Sequence, residues 1–184
     1  MLRQKFKDQS GFTLMEILIV VILMGILAMV VIPQISVSSE DTKVSTLQSN
    51  LTQMRNLLEI YYAQHSEKYP GEVDDADGVG APADAGAAAT AFVNQLTLYS
   101  KSTGYAQKDV DPAFPLGPYV KGKTLPPNPF NDKSGVIVDI STTDITARPL
   151  VGGDDAYGYK FFTKTGVIVA CDGGTSGTVA HVDY

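Results

Sequence analysis

The chain has 184 residues with 14 basic and 20 acidic side chains, a formal net charge of −6. That length suits one domain or slightly more, and the acidic balance disfavours phosphate binding by long-range attraction. A single cysteine, Cys171, excludes an intramolecular disulfide.

Before Phe12, Arg3, Lys5 and Lys7 stand against Asp8, so the first eleven residues are net positive. The rest of the chain holds eleven basic and nineteen acidic side chains. Phe12-Thr13-Leu14-Met15-Glu16 then opens an apolar run in which Ile17 to Ile32 carries no polar side chain, and Pro33 closes it. Phe12 to Ile32 is about the ~20 residues that a bilayer-spanning helix needs. The basic flank places the preceding segment on the cytoplasmic side and the remainder across the membrane. A secretory signal would be shorter and end in a small-residue cleavage site. Here the small residue, Gly11, lies ahead of the apolar run.

One carboxylate inside such a run requires a reason, because a charged group at mid-span costs ~2.5–3.5 kcal/mol on insertion scales. Glu16 lies four residues after Phe12, on the same helical face. A positive terminus created at Phe12, on the same or an adjoining chain, would offset the penalty and fix the register at which one helix joins a bundle. The competing reading has Glu16 snorkelling to the interface from its place near the end of the run.

The helix is predicted to continue past Pro33, which should kink rather than end it. Val37, Val44, Leu47, Leu51, Met54, Leu58 and Tyr61 form one apolar stripe with Glu40 at its single polar position. Tyr69-Pro70-Gly71 is the predicted stop. Such a helix would be on the order of 80 Å long, more than twice a bilayer's hydrocarbon thickness, so its outer part must pack elsewhere.

Residues 71–90 are rich in Asp, Ala and Gly and are expected as a long, mobile, solvated loop. Phe92, Val93, Leu96 and Tyr99 have helical spacing and predict a short helix over 91–99. Gly117-Pro118-Tyr119 and Leu125-Pro126-Pro127-Asn128-Pro129-Phe130 read as proline-fixed loops. In the last third, Val136 to Ile140 and Ile145 to Leu150 flank one turn, and Tyr157 to Phe162 and Val167 to Cys171 flank Thr163-Lys164-Thr165-Gly166. These predict three or four antiparallel strands packed on the stripe between Leu47 and Tyr61. Cys171 reads as a small buried hydrophobe, with a linkage between subunits as the alternative. Asn50-Leu51-Thr52 matches the glycosylation sequon but falls inside a predicted helix, which makes it a chance match.

Gly11-Phe12-Thr13-Leu14-Met15-Glu16, followed by an apolar helix and Pro33, resembles the signal of type IV pilins and type II secretion pseudopilins. The resemblance covers about the first quarter of the chain. It implies that a prepilin peptidase cuts after Gly11 and methylates Phe12, that Glu16 guides assembly, and that Pro33 kinks the helix. It implies a ladle-shaped α+β fold: a leader over 1–11, a long helix over 12–70 that is transmembrane to about residue 32, and a head over 71–184. The implied partners are the peptidase, further copies of the chain, other pilins or pseudopilins, an assembly platform and the inner membrane. No direct nucleic-acid contact is expected. The subunit would be held in the inner membrane by one span, head in the periplasm, and then enter a periplasmic or cell-surface filament.

Major pseudopilins bind calcium in the head, and Asp154 and Asp155 are the candidate Ca2+ ligands here, with Asn131, Asp132 and Asp172 as further oxygen donors. The acidic pattern matches no spaced calcium motif, and solvated turns account for it better. No nucleophile–base or metal-ligand constellation suggests an enzyme. The alternative function is a membrane-tethered binding module with a ligand-recognising head, which would require neither Glu16 nor the cleavage-type junction.

Overall fold

The computed structural model describes residues 11–145 and 157–184, less the side chains of 29–38. The leader over 1–10, most of the expected strand Ile145–Leu150, and Asp154 and Asp155 lie outside the described residues. So does the side chain of Pro33. The chain divides into two compact units, residues 1–41 and 42–184. Helix α1, Leu14–Gln64, supplies secondary structure to both.

In the first unit, α1 presents apolar side chains all round, from Ile19 at 45% exposed to Leu14 at 85%. A helix that is apolar on every face is one that something else must cover. Helical backbone extends through position 33, as expected of a proline that does not end the helix. Among the described residues no helix is long and apolar enough to cross a membrane.

In the second unit, Leu47, Leu51, Met54, Leu58 and Tyr61 are buried at alternating four- and three-residue steps. That spacing keeps them on one face of α1, so they enter a single core with Phe92, Leu96, Val136, Val138, Phe161 and Ile168. Each large side chain so buried contributes about 1.5–3 kcal/mol. Helix α1 ends at Gln64, and the left-handed backbone of Ser66 and Glu67 then turns the chain.

The start of the segment after Gly71 is packed, contrary to the expected solvated loop, whereas most of residues 76–86 are exposed. The Gly71 amide donates to Gln95 Oε1 at 2.8 Å, Val73 is buried, and Asn94 Nδ2 donates to Asp75 Oδ2 at 2.7 Å. Helix α2 spans Ala85–Thr97, earlier than the expected 91–99. The alanines are the strongest helix formers, and Asp84 caps them by accepting from the Ala87 amide at 2.8 Å. Low hydrophobicity in Ala-Ala-Ala marked helix here, not loop.

The remaining elements are strands β1, Tyr99–Ser100; β2, Ala106–Gln107; β3, Val136–Asp139; β4, Tyr159–Phe162; β5, Val167–Ala170; β6, Thr175–Ser176; and β7, Val179–Ala180, then a closing 3-10 turn over His181–Asp183. β1–β2 and β6–β7 are short antiparallel ribbons. The central sheet has the order β3-β4-β5. β4 and β5 form the expected antiparallel hairpin, with Phe161 opposite Ile168. Its Gly166 is required: φ is +71°, and a Cβ there would stand 2.2 Å from the Tyr69 ring.

β3 departs from expectation. It pairs with β4 in parallel, Val136 with Tyr159 and Val138 with Phe161, so the sheet is mixed and not wholly antiparallel. The physical reason is the connection. Residues 140–158 separate the two strands, which is long enough for a crossover, whereas a tight turn would force antiparallel pairing. The overall class is α+β.

Candidate functional site

The N-terminal junction is built from Gly11, Phe12, Thr13 and Glu16. Thr13 precedes the first residue of α1, and Glu16 sits three positions later, the spacing of a capping box. Both halves of the box are formed. The Glu16 amide donates to Thr13 Oγ1 at 3.2 Å, and the Thr13 amide donates to Glu16 Oε2 at 2.8 Å. The Thr13 hydroxyl donates to the same carboxylate oxygen at 2.7 Å. The carboxylate is therefore folded back on its own helix start.

Gly11 is not required by its surroundings. A Cβ added there meets no heavy atom within 4 Å, and its backbone is outside the left-handed region. Phe12 is 85% exposed beside it. A glycine that the fold does not demand, next to an exposed aromatic, calls for an explanation outside the chain. Pro33 lies seventeen residues beyond Glu16 on the same helix, with its side chain outside the described residues.

The head brings together groups that sequence spacing did not connect. Gln95 is fully buried, accepts from the Gly71 amide, and donates to the carbonyls of Val73 and Gly104 at 3.0 and 2.9 Å. It thereby ties the 71–73 segment and the β1–β2 ribbon to α2. His65 is stacked on Tyr61 at 3.6 Å, with Nδ1 at 2.9 Å from the Tyr61 carbonyl and Nε2 at 3.0 Å from Ser100 Oγ. Burial holds its pKa below the usual histidine value, against the raising effect of the Tyr61 bond. A cleft of about 540 Å³ is lined by His65, Lys68, Glu72, Thr103 and Lys164. Both imidazole nitrogens of His65 are engaged there, and Lys68 is paired with Glu72 at 3.4 Å.

At the C-terminal end, His181 Nδ1 lies 2.7 Å from Asp172 Oδ1, and Ser176 Oγ lies 2.9 Å from His181 Nε2. The order serine, imidazole, carboxylate is that of a nucleophile relay, and sequence reading found no such constellation. Its surroundings make it a clasp. His181 and Asp172 are both buried, the imidazole lies 3.8 Å from the Phe130 ring, and neither described cleft is lined by any of the three residues. Asp172 also accepts from Asn128 Nδ2 at 2.7 Å and from the Gly174 amide at 2.8 Å. The group closes the β6–β7 ribbon onto the 128–133 loop. Cys171, next in the chain, is fully buried, which fits the small-hydrophobe reading and leaves no surface thiol for a link between subunits.

The calcium expectation fares differently by residue. Asp154 and Asp155 lie outside the described residues. Asp172 has its oxygens committed to three donors, and Asn131 Oδ1 accepts from the Lys133 amide at 3.0 Å. Among the described residues no group of three or more His, Cys, Asp or Glu is placed to hold a metal.

Residues 6–32 match the prokaryotic N-terminal methylation motif. Over about a third of its length the chain is homologous to type II secretion system core protein G from several bacteria. It is 38% identical to the Pseudomonas aeruginosa protein over 55 residues, which is 30% of this chain and 39% of that one. The identity is 34% over 64 residues with the Aeromonas hydrophila protein, covering 35% and 44%. With the Vibrio cholerae protein it is 32% over 63 residues, covering 34% and 43%. The matched stretch thus spans about two-fifths of these relatives' length. No solved structure matches the chain significantly.

Proposed function

We propose that this chain is a structural subunit, not an enzyme, that is cleaved after Gly11, methylated at Phe12 and polymerised into a type II secretion pseudopilus or a related type IV filament. The observation that carries the reading is the methylation motif over residues 6–32, coinciding with an apolar helix whose side chains from Leu14 to Ala28 are exposed and which opens on the Thr13–Glu16 box. The core protein G likeness favours the secretion filament over a surface pilus.

On this reading the chain has three parts: a leader over 1–11, a segment over 12–70 that carries the long helix ending at Gln64, and a head over 71–184. Before assembly the apolar run holds the subunit in the inner membrane with its head in the periplasm. The stored subunit is then drawn into a bundle, where other copies replace lipid around the run. Glu16 acts at that transfer. Cleavage frees an amine at Phe12, one residue from the group that Glu16 already binds, and the carboxylate exchanges its hydrogen bonds to Thr13 for that positive charge. Pro33 lets the helix bend within the bundle. The partners are the prepilin peptidase, further copies, other pseudopilins and an assembly platform.

The test is mass spectrometry of the amino-terminal peptide from membrane and sheared-filament fractions. A peptide beginning at methylated Phe12 supports processing, and its presence in filaments supports polymerisation. An intact leader in mature cells overturns both and leaves a tethered binding module.

A further inference from the structure

Two surfaces of the head are left uncovered by the chain and match each other. The first is the tip Asp109-Val110-Asp111. Val110 is 78% exposed, a large apolar side chain flanked by two exposed carboxylates. The tip is held in place. Asp111 Oδ1 accepts from the Ala113 amide at 2.8 Å, and the Asp111 carbonyl accepts from the Phe114 amide at 2.8 Å. The Asp109 carbonyl accepts from Gln107 Nε2 at 3.1 Å. Phe114, buried and edge-on to Tyr105 at 4.8 Å, anchors the turn below.

The second surface is a groove of about 320 Å³ between α1 and the 119–126 segment, lined by Met54, Leu57, Val120, Lys121, Leu125 and Pro126. Its lining is mostly apolar but includes Gln53 and the exposed Thr124, with Lys121 as the one charged lining residue and exposed Lys123 close in sequence. With Lys108 counted, the tip carries a net charge of −1, against two lysines at the groove. The chain does not fill its own groove with Val110, which stands exposed.

We propose that the Asp109–Asp111 tip of one copy seats in this groove on a second copy, Val110 entering between Leu57 and Pro126 and the aspartates meeting Lys121 and Lys123. The inference rests on the polymerising reading and names the contact between heads. Tip and groove are different surfaces of one chain, so the contact is heterologous: each copy offers a tip to one neighbour and a groove to another. Contacts of that kind build open helical polymers, whereas a self-complementary patch stops at a dimer. The apolar insertion supplies affinity, and the charges set orientation and choice of partner.

The experiment uses the full chain in its native cells, with Val110→Cys and Thr124→Cys introduced together. Both positions are exposed, and native Cys171 is buried. Mild oxidation should give a ladder of linked dimers, trimers and longer species that neither single variant gives. Asp109→Lys with Asp111→Lys in that background should cut the ladder by about tenfold or more, through like-charge contact. Adding Lys121→Asp and Lys123→Asp should restore it. No ladder from the pair, or equal dimer from Val110→Cys alone, overturns the contact. Electron microscopy of the same cells separates the two readings. Filaments without a ladder overturn this contact and keep polymerisation. A ladder without filaments keeps the contact and overturns the filament.

Discussion

Thr13 and Glu16 satisfy each other across the first turn of α1: the Thr13 amide and hydroxyl donate to one oxygen of the Glu16 carboxylate, at 2.8 and 2.7 Å, and the Glu16 amide donates back to the Thr13 hydroxyl. The box gives the carboxylate a local partner before any processing. It also means that two roles, capping and charge pairing, coincide in one side chain, and substitution can separate them.

Glu16→Gln keeps an acceptor for the Thr13 amide and removes the charge. Glu16→Ala removes both. If charge pairing with the Phe12 amine drives assembly, both variants are cleaved normally and both lose most of their filaments. Filament yield by shearing and immunoblot is the measurement. Normal yield in Glu16→Gln would reduce Glu16 to its half of the capping box.

Gly11→Val should leave the fold untouched and abolish processing. A Cβ at position 11 meets nothing within 4 Å, so head stability, read by protease resistance, stays as in the parent. The expected change is accumulation of the uncut form on a gel. Efficient cleavage of Gly11→Val would remove the glycine from the processing argument.

Gln95→Ala is expected to cost about 2–4 kcal/mol, because it strands buried backbone groups of Gly71, Val73 and Gly104 together. Urea unfolding of the chain in detergent gives the value. A loss below half a kilocalorie would show that water or a rearranged loop replaces the amide.

His65 makes head stability depend on pH. Its folded pKa is lowered, chiefly by burial, so the unfolded chain binds the proton more readily. Stability from this group is complete above the unfolded pKa of about 6.5 and declines as pH falls below it. Thermal unfolding between pH 7.5 and 5 should show Tm falling, with a shallower fall in His65→Gln. Equal slopes in the two proteins would assign the pH dependence to other groups.

The long helix, its stripe from Leu47 to Tyr61 and the β4–β5 hairpin were legible because each is written in local periodicity: steps of three and four for the helix, alternation with a glycine turn for the hairpin. The methylation motif over residues 6–32 was legible for a similar reason, since a short ordered motif is read locally. The two ends of the 71–90 segment were misread because its composition resembles a solvated loop, while their order comes from Gln95, Asn94 and the Asp84 cap. Gln95 itself gave no signal beyond a polar residue on an apolar helix face.

By itself, then, the sequence determined the N-terminal half of the argument. An apolar run with one carboxylate behind a basic, glycine-ended leader has few physical uses, and periodicity sets which face of α1 is buried. Only the tertiary structure decided that β3 lies parallel to β4, that Asp172, Ser176 and His181 form a clasp, and that Val110 and the groove beside Leu57 are both left uncovered. Those relations join residues far apart in the chain or not linked by any local period. They arise because burying one core forces particular backbone segments together, and the side chains that meet there must satisfy one another.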